Sequence, residues 1–221
     1  MERSLASYID HTLLKPEATA AEVARVIAEA REHGFASVCL PPVYAPMAAE
    51  GLAGTAVHTG TVVGFPLGYV HPAVRLAESL RAIEDGAEEL DTVLNISWLK
   101  SGEEQRVLDD LAAWVSGVRA ARQGLILKVI LETCLLTEEE KARGTELVAV
   151  CGADFVKTST GFAKGGATVE DVALLARTAA GRIGVKASGG IRDAAAARAM
   201  IAAGATRLGT SSGVAIVAAG D

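Results

Sequence analysis

The chain has 221 residues, half of them hydrophobic but only 4% aromatic, so its core is expected to be layered helix on strand built from Ala, Val, Leu and Ile. A formal charge of −6 argues against nucleic acid or an anionic membrane as the main partner. Three scattered cysteines (Cys39, Cys134, Cys151) lack CxxC spacing, and the opening MERSLASYIDHTLLK has no continuous apolar stretch, which points to reduced thiols and no signal peptide.

The first predicted strand is short, 8–12 (YIDHT). Thr19 with Glu22 then reads as a capping box, opening a helix in which Val23, Val26, Ile27 and Ala30 recur at helical spacing and which stops at Gly34. Strands follow at 36–40 and 59–65, and Gly86 closes a helix ahead of a strand at 89–95. Ser101 with Glu104 reads as a second capping box, followed by a strand at 125–132. Thr137 with Glu140 opens a helix ending at Gly152, and a strand comes at 154–158. Thr168 with Asp171 opens another, carrying Val172, Leu175 and Ala179 and ending at Gly181. The last strands are predicted at 183–187 and, after Gly204, at 206–210.

A unit of helix, glycine, small residue and strand thus recurs at HGFASVCL, DGAEELDTVLN, CGADFVKTS and AGATRLGT. No Ser/Pro-rich linker or charge block interrupts it. Residues 1–221 are therefore expected to form an α/β fold, a single-domain (β/α)8 barrel with a short N-terminal helix. An open doubly wound sheet would carry G-x-G-x-x-G after its first strand, and LPPVYAPM stands after an early strand instead.

Reacting groups in such barrels sit at the carboxyl ends of the strands. Alternation puts Phe155 with Lys157 on one face, Gly184 with Lys186, Asp91 with Val93 and Asn95, and Lys128 with Ile130 and Glu132. If those faces point inward, three lysines and two carboxylates meet in the barrel mouth. A single strand lysine beside a carboxylate is most simply an ion pair, and Lys128 with Glu132 fits that description. Two lysines on consecutive strands repel each other, and together with burial this lowers an amine's pKa and makes it a nucleophile of the Schiff-base kind. The loops SGGIR (188–192) and GTSSG (209–213) add flexible glycines and hydroxyls, and the second runs into VAIVAAG, a short helix whose N-terminus would face an anion.

Other chemistries find little support. His11, His33, His58 and His71 show no H-x-x-x-H or Cys-paired spacing, so no metal site is expected. G-x-S-x-G is absent, and Tyr44, Tyr69 and Trp98 read as packing residues.

Taken in order, IDHTLLKP, VGFPLG, LDTVLN, LKSGE, ILETCLLT, GADFVKTSTGF, GVKASGGIR and GTSSGVAIV resemble the deoxyribose-phosphate aldolase family over nearly the whole chain. The resemblance implies a class I aldolase with no metal or cofactor. It would reversibly split 2-deoxy-D-ribose 5-phosphate into acetaldehyde and D-glyceraldehyde 3-phosphate, as a cytoplasmic homodimer or homotetramer with no nucleic-acid or membrane partner. Lys157 would form the Schiff base, Lys186 would hold its pKa down and join proton transfer, and Asp91 would act through a bound water. Thr160, Gly161, Gly189, Gly190, Gly209, Ser211 and Ser212 match phosphate-gripping segments. Asp10, Thr12 and Cys39 match positions lining the sugar pocket, although Cys39 on its own reads as a small core thiol, and Lys128 joins the substrate-contacting set. Thr92, Trp98 and Lys164 depart from the family's usual residues. The first two are expected to alter packing near Asp91 and the third to add a cation beside the phosphate loop. Two other readings keep the same residues: an aldolase or transaldolase-like enzyme for another sugar phosphate, and a phosphate-binding barrel without catalysis.

Overall fold

Period-two alternation sorts the side chains of most strands into an outward, mainly apolar row and an inward row rich in polar groups. In the computed structural model, which describes residues 4–220, eight parallel strands close into a barrel in sequence order. They are β1 (Ile9–Thr12), β2 (Ser37–Leu40), β3 (His58–Val63), β4 (Glu89–Val93), β5 (Ile126–Ile130), β6 (Phe155–Lys157), β7 (Gly184–Ser188) and β8 (Arg207–Thr210). The barrel closes where β1 pairs with β8. Every predicted strand is present, with ends within two residues of expectation. The expected N-terminal helix is a single 3-10 turn, Leu5–Tyr8, and residues 1–3 and 221 lie outside the described ones.

Helices sheathe the barrel: α1 (Ala20–His33), α2 (Ala45–Gly51), α3 (Pro72–Glu84), α4 (Ile96–Lys100), α5 (Glu104–Ala121), α6 (Glu138–Cys151), α7 (Val169–Ala179), α8 (Ala194–Ala202) and α9 (Gly213–Gly220). The apolar core is the layer between sheath and barrel wall. Ile9, Val38, Leu90, Leu127, Val156, Val185 and Leu208 face outward into it and meet buried helix positions such as Val23, Val26, Leu111, Val148, Val172 and Leu175. Because the wall turns its apolar side outward, the barrel axis is free to hold charge.

Two of the predicted capping boxes form in full, Thr19 with Glu22 and Thr137 with Glu140. Thr168 caps α7 by accepting from the Asp171 N–H, while the Asp171 carboxylate accepts from Lys141 instead. The box expected at Ser101 and Glu104 does not form. Ser101 closes α4, its hydroxyl donating to the Ser97 carbonyl at 2.8 Å, and α5 begins after Glu103 without a side-chain cap.

Thr137→Ala should therefore lower stability by about 1 kcal/mol, whereas Ser101→Ala should change it by less than about 0.5 kcal/mol. Urea denaturation of the two variants checks this, and equal losses would contradict the capping assignment.

Candidate active site

Strand register brings the charged side chains together. Lys157 of β6 lies beside Lys186 of β7, Lys186 beside Arg207 of β8, and Asp91 of β4 beside Lys128 of β5. Lys157 Nζ and Lys186 Nζ both donate to the same oxygen, Asp91 Oδ2, each at 2.8 Å, so their nitrogens lie within twice that distance. The two amines are on the same side of the wall, as alternation requires.

Three carboxylates and three cations then alternate around a closed ring. Lys186 pairs with Asp10 at 2.5 Å and with Asp91 at 2.8 Å. Lys128 pairs with Asp91 at 2.8 Å and with Glu89 at 2.5 Å. Arg207 pairs with Glu89 at 2.7 Å and with Asp10 at 2.6 Å, which completes the circuit. Around the ring each carboxylate bridges two cations and each cation two carboxylates, and Lys128 also lies 3.9 Å from Asp10 across it. All six side chains are buried. At the lower rim, His58 Nδ1 hydrogen-bonds to Glu89 Oε1 at 2.9 Å. Lys157 is the seventh charged group, attached to the ring through Asp91 alone.

This attachment decides how the amines titrate. Burial is the largest influence on Lys157 and lowers its pKa; Asp91 opposes that and the charge of Lys186 adds to it, leaving the amine below the ordinary lysine value. Burial also opposes charge on Lys186, but Asp10 and Asp91 overcome it and its pKa is raised. Lys128 is raised likewise, Asp91 and Glu89 outweighing burial. Asp91 is held well below the carboxylate range, because Lys128, Lys157 and Lys186 together outweigh the penalty of burying it. A soft amine, an obligate ammonium and an obligate carboxylate thus share one hydrogen-bonded cluster. That is a suitable arrangement for adding an amine to a carbonyl and moving protons nearby.

Above Lys157 opens a pocket of about 500 Å3. The expected pocket residues Thr12, Thr160, Gly161, Gly189, Gly190, Gly209 and Ser211 all line it. Among the described residues, the N–H groups of Gly161, Gly189, Gly190 and Ser211 enter no hydrogen bond, which leaves four amide donors around the pocket for an anion. Gly161, Gly189 and Gly190 have φ of 85°, 85° and 84°, where a side chain would be strained. Gly209 serves a second purpose, since a Cβ there would lie 3.1 Å from Cε of Lys186.

Several expected site residues stand elsewhere. Lys128, Asp10 and Cys39 are buried and do not line the pocket. Lys128 and Asp10 are ring members beneath it, and Cys39 is a free thiol whose pKa burial raises. Ser212 stops short of the pocket lining, its N–H donating to Thr210 Oγ1 at 2.9 Å. Glu132 is not the partner of Lys128. The strand ends at Ile130, and at Glu132 the backbone turns left-handed (φ 59°, ψ 64°), which swings its carboxylate to accept from the Thr160 amide and hydroxyl. The two carboxylates that join Asp91 among the lysines are Asp10 and Glu89.

The departures also fall away from the chemistry. Trp98 stacks under the Arg106 guanidinium, 4.0 Å from the ring centroid, and Thr92 is buried on the outward face of β4. Lys164 is exposed and does not line the pocket; Lys15 and Arg192 do. Both belong to the segments IDHTLLKP and GGIR, and their position after a strand end is the sequence signal for them.

The family described as DeoC/LacD family aldolase matches residues 4–219. A deoxyribose-phosphate aldolase of Geobacillus sp. is 54% identical over 217 residues, covering 98% of this chain and 96% of the relative. One from Brevibacillus brevis is 55% identical over 210 residues, covering 95% and 93%. Among solved structures, a deoxyribose phosphate aldolase from Aeropyrum pernix, described as a unique tetramer, superposes with a TM-score of 0.89 at 37% identity, covering 97% of this chain and 89% of the other.

Asp10, Glu89 and Asp91 all sit below their ordinary values. The stability they contribute is present above the unfolded carboxylate range, about pH 4, and is lost as the pH falls through it toward their folded values. Thermal midpoints measured against pH should decline steeply below about pH 4; an unchanged midpoint down to about pH 2 would contradict the ring.

Proposed function

The chain belongs to the DeoC/LacD family of aldolases, and from that premise we propose that it is a deoxyribose-phosphate aldolase working through a Schiff base on Lys157. The carrying observation is the buried Lys157 amine, paired among the described residues with Asp91 alone, at the floor of a pocket whose rim offers unpaired amides.

In this reading the sugar's phosphate sits against the amides of Gly161, Gly189, Gly190 and Ser211, with Arg192 and Lys15 adding charge at the rim. The open-chain aldehyde then points down at Lys157. The Nζ lone pair adds to C1, and the C1 oxygen leaves as water once protonated, giving an iminium. Loss of the C3 hydroxyl proton lets the C2–C3 bond break, its electrons moving into a C1–C2 double bond as the iminium nitrogen takes back its pair. D-Glyceraldehyde 3-phosphate departs, the enamine takes a proton at C2, and water releases acetaldehyde. Lys186, an ammonium bonded to the same oxygen as Lys157, is the acid at hand for the C1 oxygen. Asp91 already accepts from three lysine nitrogens, which makes it an anchor for Lys157 and for a water joining the cluster after imine formation rather than a strong base. The reading extends to a homo-oligomer in the cytoplasm, a dimer or tetramer, with small phosphorylated sugars and acetaldehyde as its ligands; the tetrameric relative supports the assembly.

Borohydride with deoxyribose 5-phosphate or acetaldehyde should leave a reduced adduct on the peptide carrying Lys157, and Lys157→Leu should leave none. An adduct on another lysine, or turnover of ketose phosphates with none of deoxyribose 5-phosphate, would displace the reading. Lys186→Leu removes both the acid and a cation, so turnover should drop by about a hundredfold or more, with the residual rate rising toward alkaline pH. Turnover near wild type would contradict the role given to Lys186.

A further inference from the structure

Lys157 is the only cation of the barrel axis that holds a single carboxylate. The other three cations of the cluster each hold at least two: Lys186 has Asp10 and Asp91, Lys128 has Glu89 and Asp91 with Asp10 farther off at 3.9 Å, and Arg207 has Asp10 and Glu89. Three negative charges therefore already meet three positive ones before Lys157 is counted. Arg207 is two residues below Gly209 on β8, is buried, and does not line the pocket, so it has no direct access to substrate.

We propose that Arg207 is a positioning residue for the Schiff-base reaction: by completing a neutral ring with Asp10, Glu89, Asp91, Lys128 and Lys186 it leaves Lys157 without a charge to balance, and so keeps that amine free. The inference rests on the Schiff-base reading for its catalytic meaning but not for its electrostatics. Without Arg207, the ring would carry one unmatched carboxylate charge, and protonating Lys157 is the nearest way to match it. Without Glu89 the imbalance reverses, and Lys157 is pressed further toward the neutral form. The sign of the effect follows from charge count alone, which an ordinary packing role would not reproduce.

The other groups facing Lys157 do not upset the count. Cys39 of β2 is a thiol whose pKa burial raises, so it is uncharged. Glu132, beyond β5, is engaged with Thr160. Lys15, Glu17 and Arg192 line the solvent-open side of the pocket, where water screens them. His58 of β3 reaches the ring only through Glu89; its side chain is 42% exposed, so its charge is partly screened as well. Its hydrogen bond to Glu89 raises its pKa, which extends its protonated form to higher pH, and that charge is placed against Glu89 rather than Lys157.

The test is the titration midpoint of Lys157, read by competitive labelling with acetic anhydride across pH and peptide mass. Wild type, Arg207→Lys, Arg207→Met, Glu89→Gln and the double variant Arg207→Met/Glu89→Gln are compared, with thermal denaturation to confirm folding. Arg207→Met should raise the midpoint by about 1 unit or more, Glu89→Gln should lower it, and the double variant should return close to wild type. Arg207→Lys should stay near wild type. If Arg207→Met proves too unstable to label, Glu89→Gln and the double variant carry the comparison, because their expected midpoints still differ in direction. A wild-type midpoint in every folded variant, or single variants that move in the same direction, overturns the proposal. Borohydride trapping with acetaldehyde on the same proteins reports separately on the Schiff-base reading. Absence of a trapped adduct in wild type would sink that reading and leave the labelling result to decide the ring.

Discussion

Charge neutrality inside a closed parallel barrel is the constraint on which this structure depends. Burying six full charges is expensive, and an ion cluster of this kind is tolerated only when every member is paired with good geometry. The alternating ring of Asp10, Lys186, Asp91, Lys128, Glu89 and Arg207 gives each member two neighbours of opposite charge. Strand register makes this possible, since the members come from five different strands at neighbouring heights. Glycines on the inner face make room: a Cβ at Gly60 would lie 2.5 Å from the Val38 carbonyl oxygen, and one at Gly209 would crowd Lys186. The apolar contribution to stability is correspondingly displaced to the outer layer, between strands and helices.

The ring also changes the account of why the Lys157 amine sits below the ordinary lysine value. Repulsion between two adjacent lysines is part of the cause, but Lys186 has its own partners in Asp10 and Asp91 and remains an ammonium. What distinguishes Lys157 is burial without a carboxylate of its own. The far end of the pocket is built on the opposite principle. It offers uncharged backbone donors, three of them on glycines at positive φ, with Lys15 and Arg192 kept at the open side. A further buried cation beside Lys157 would alter the count below, whereas amide dipoles hold an anion without doing so.

Much of this was legible in the chain, and the failures have physical causes. Repeating helix–glycine–strand units gave eight strands, and alternation placed Asp91, Lys128, Lys157 and Lys186 on inward faces, because side-chain direction in a strand is fixed by parity. Glu89 and Arg207 obey the same parity, two residues below Asp91 and Gly209, and were available to the same reasoning. Nothing at the strand ends themselves marks them, because they lie one pleat deeper in the barrel. Glu132 failed for the opposite reason: parity was extended past Ile130, where the backbone turns left-handed and no longer alternates. Lys128 and Asp10 lie beneath the pocket lining, and the sequence does not show it, because sequence position gives the face of a strand but not the depth along the barrel axis. Ser101 was a matter of competition, since its hydroxyl is already taken by the helix before it.

A barrel filled with aliphatic side chains would be at least as stable as one filled with ions, because replacing buried ion pairs by well-packed apolar groups is commonly neutral or stabilising. The ring is therefore poorly explained as a device for stability. An apolar interior would also depress a lone lysine, by desolvation alone, but it would offer nothing to place that lysine's nitrogen or to deliver a proton beside it. Here the same cluster does three things at once: Asp91 fixes Nζ of Lys157 at 2.8 Å, Lys186 supplies a proton donor on the same oxygen, and the remaining members absorb the charge of both. Removing any one of them leaves the others miscounted. The barrel axis is thus better regarded as part of the active site than as its support, even though only Lys157 among its charged groups opens to the pocket.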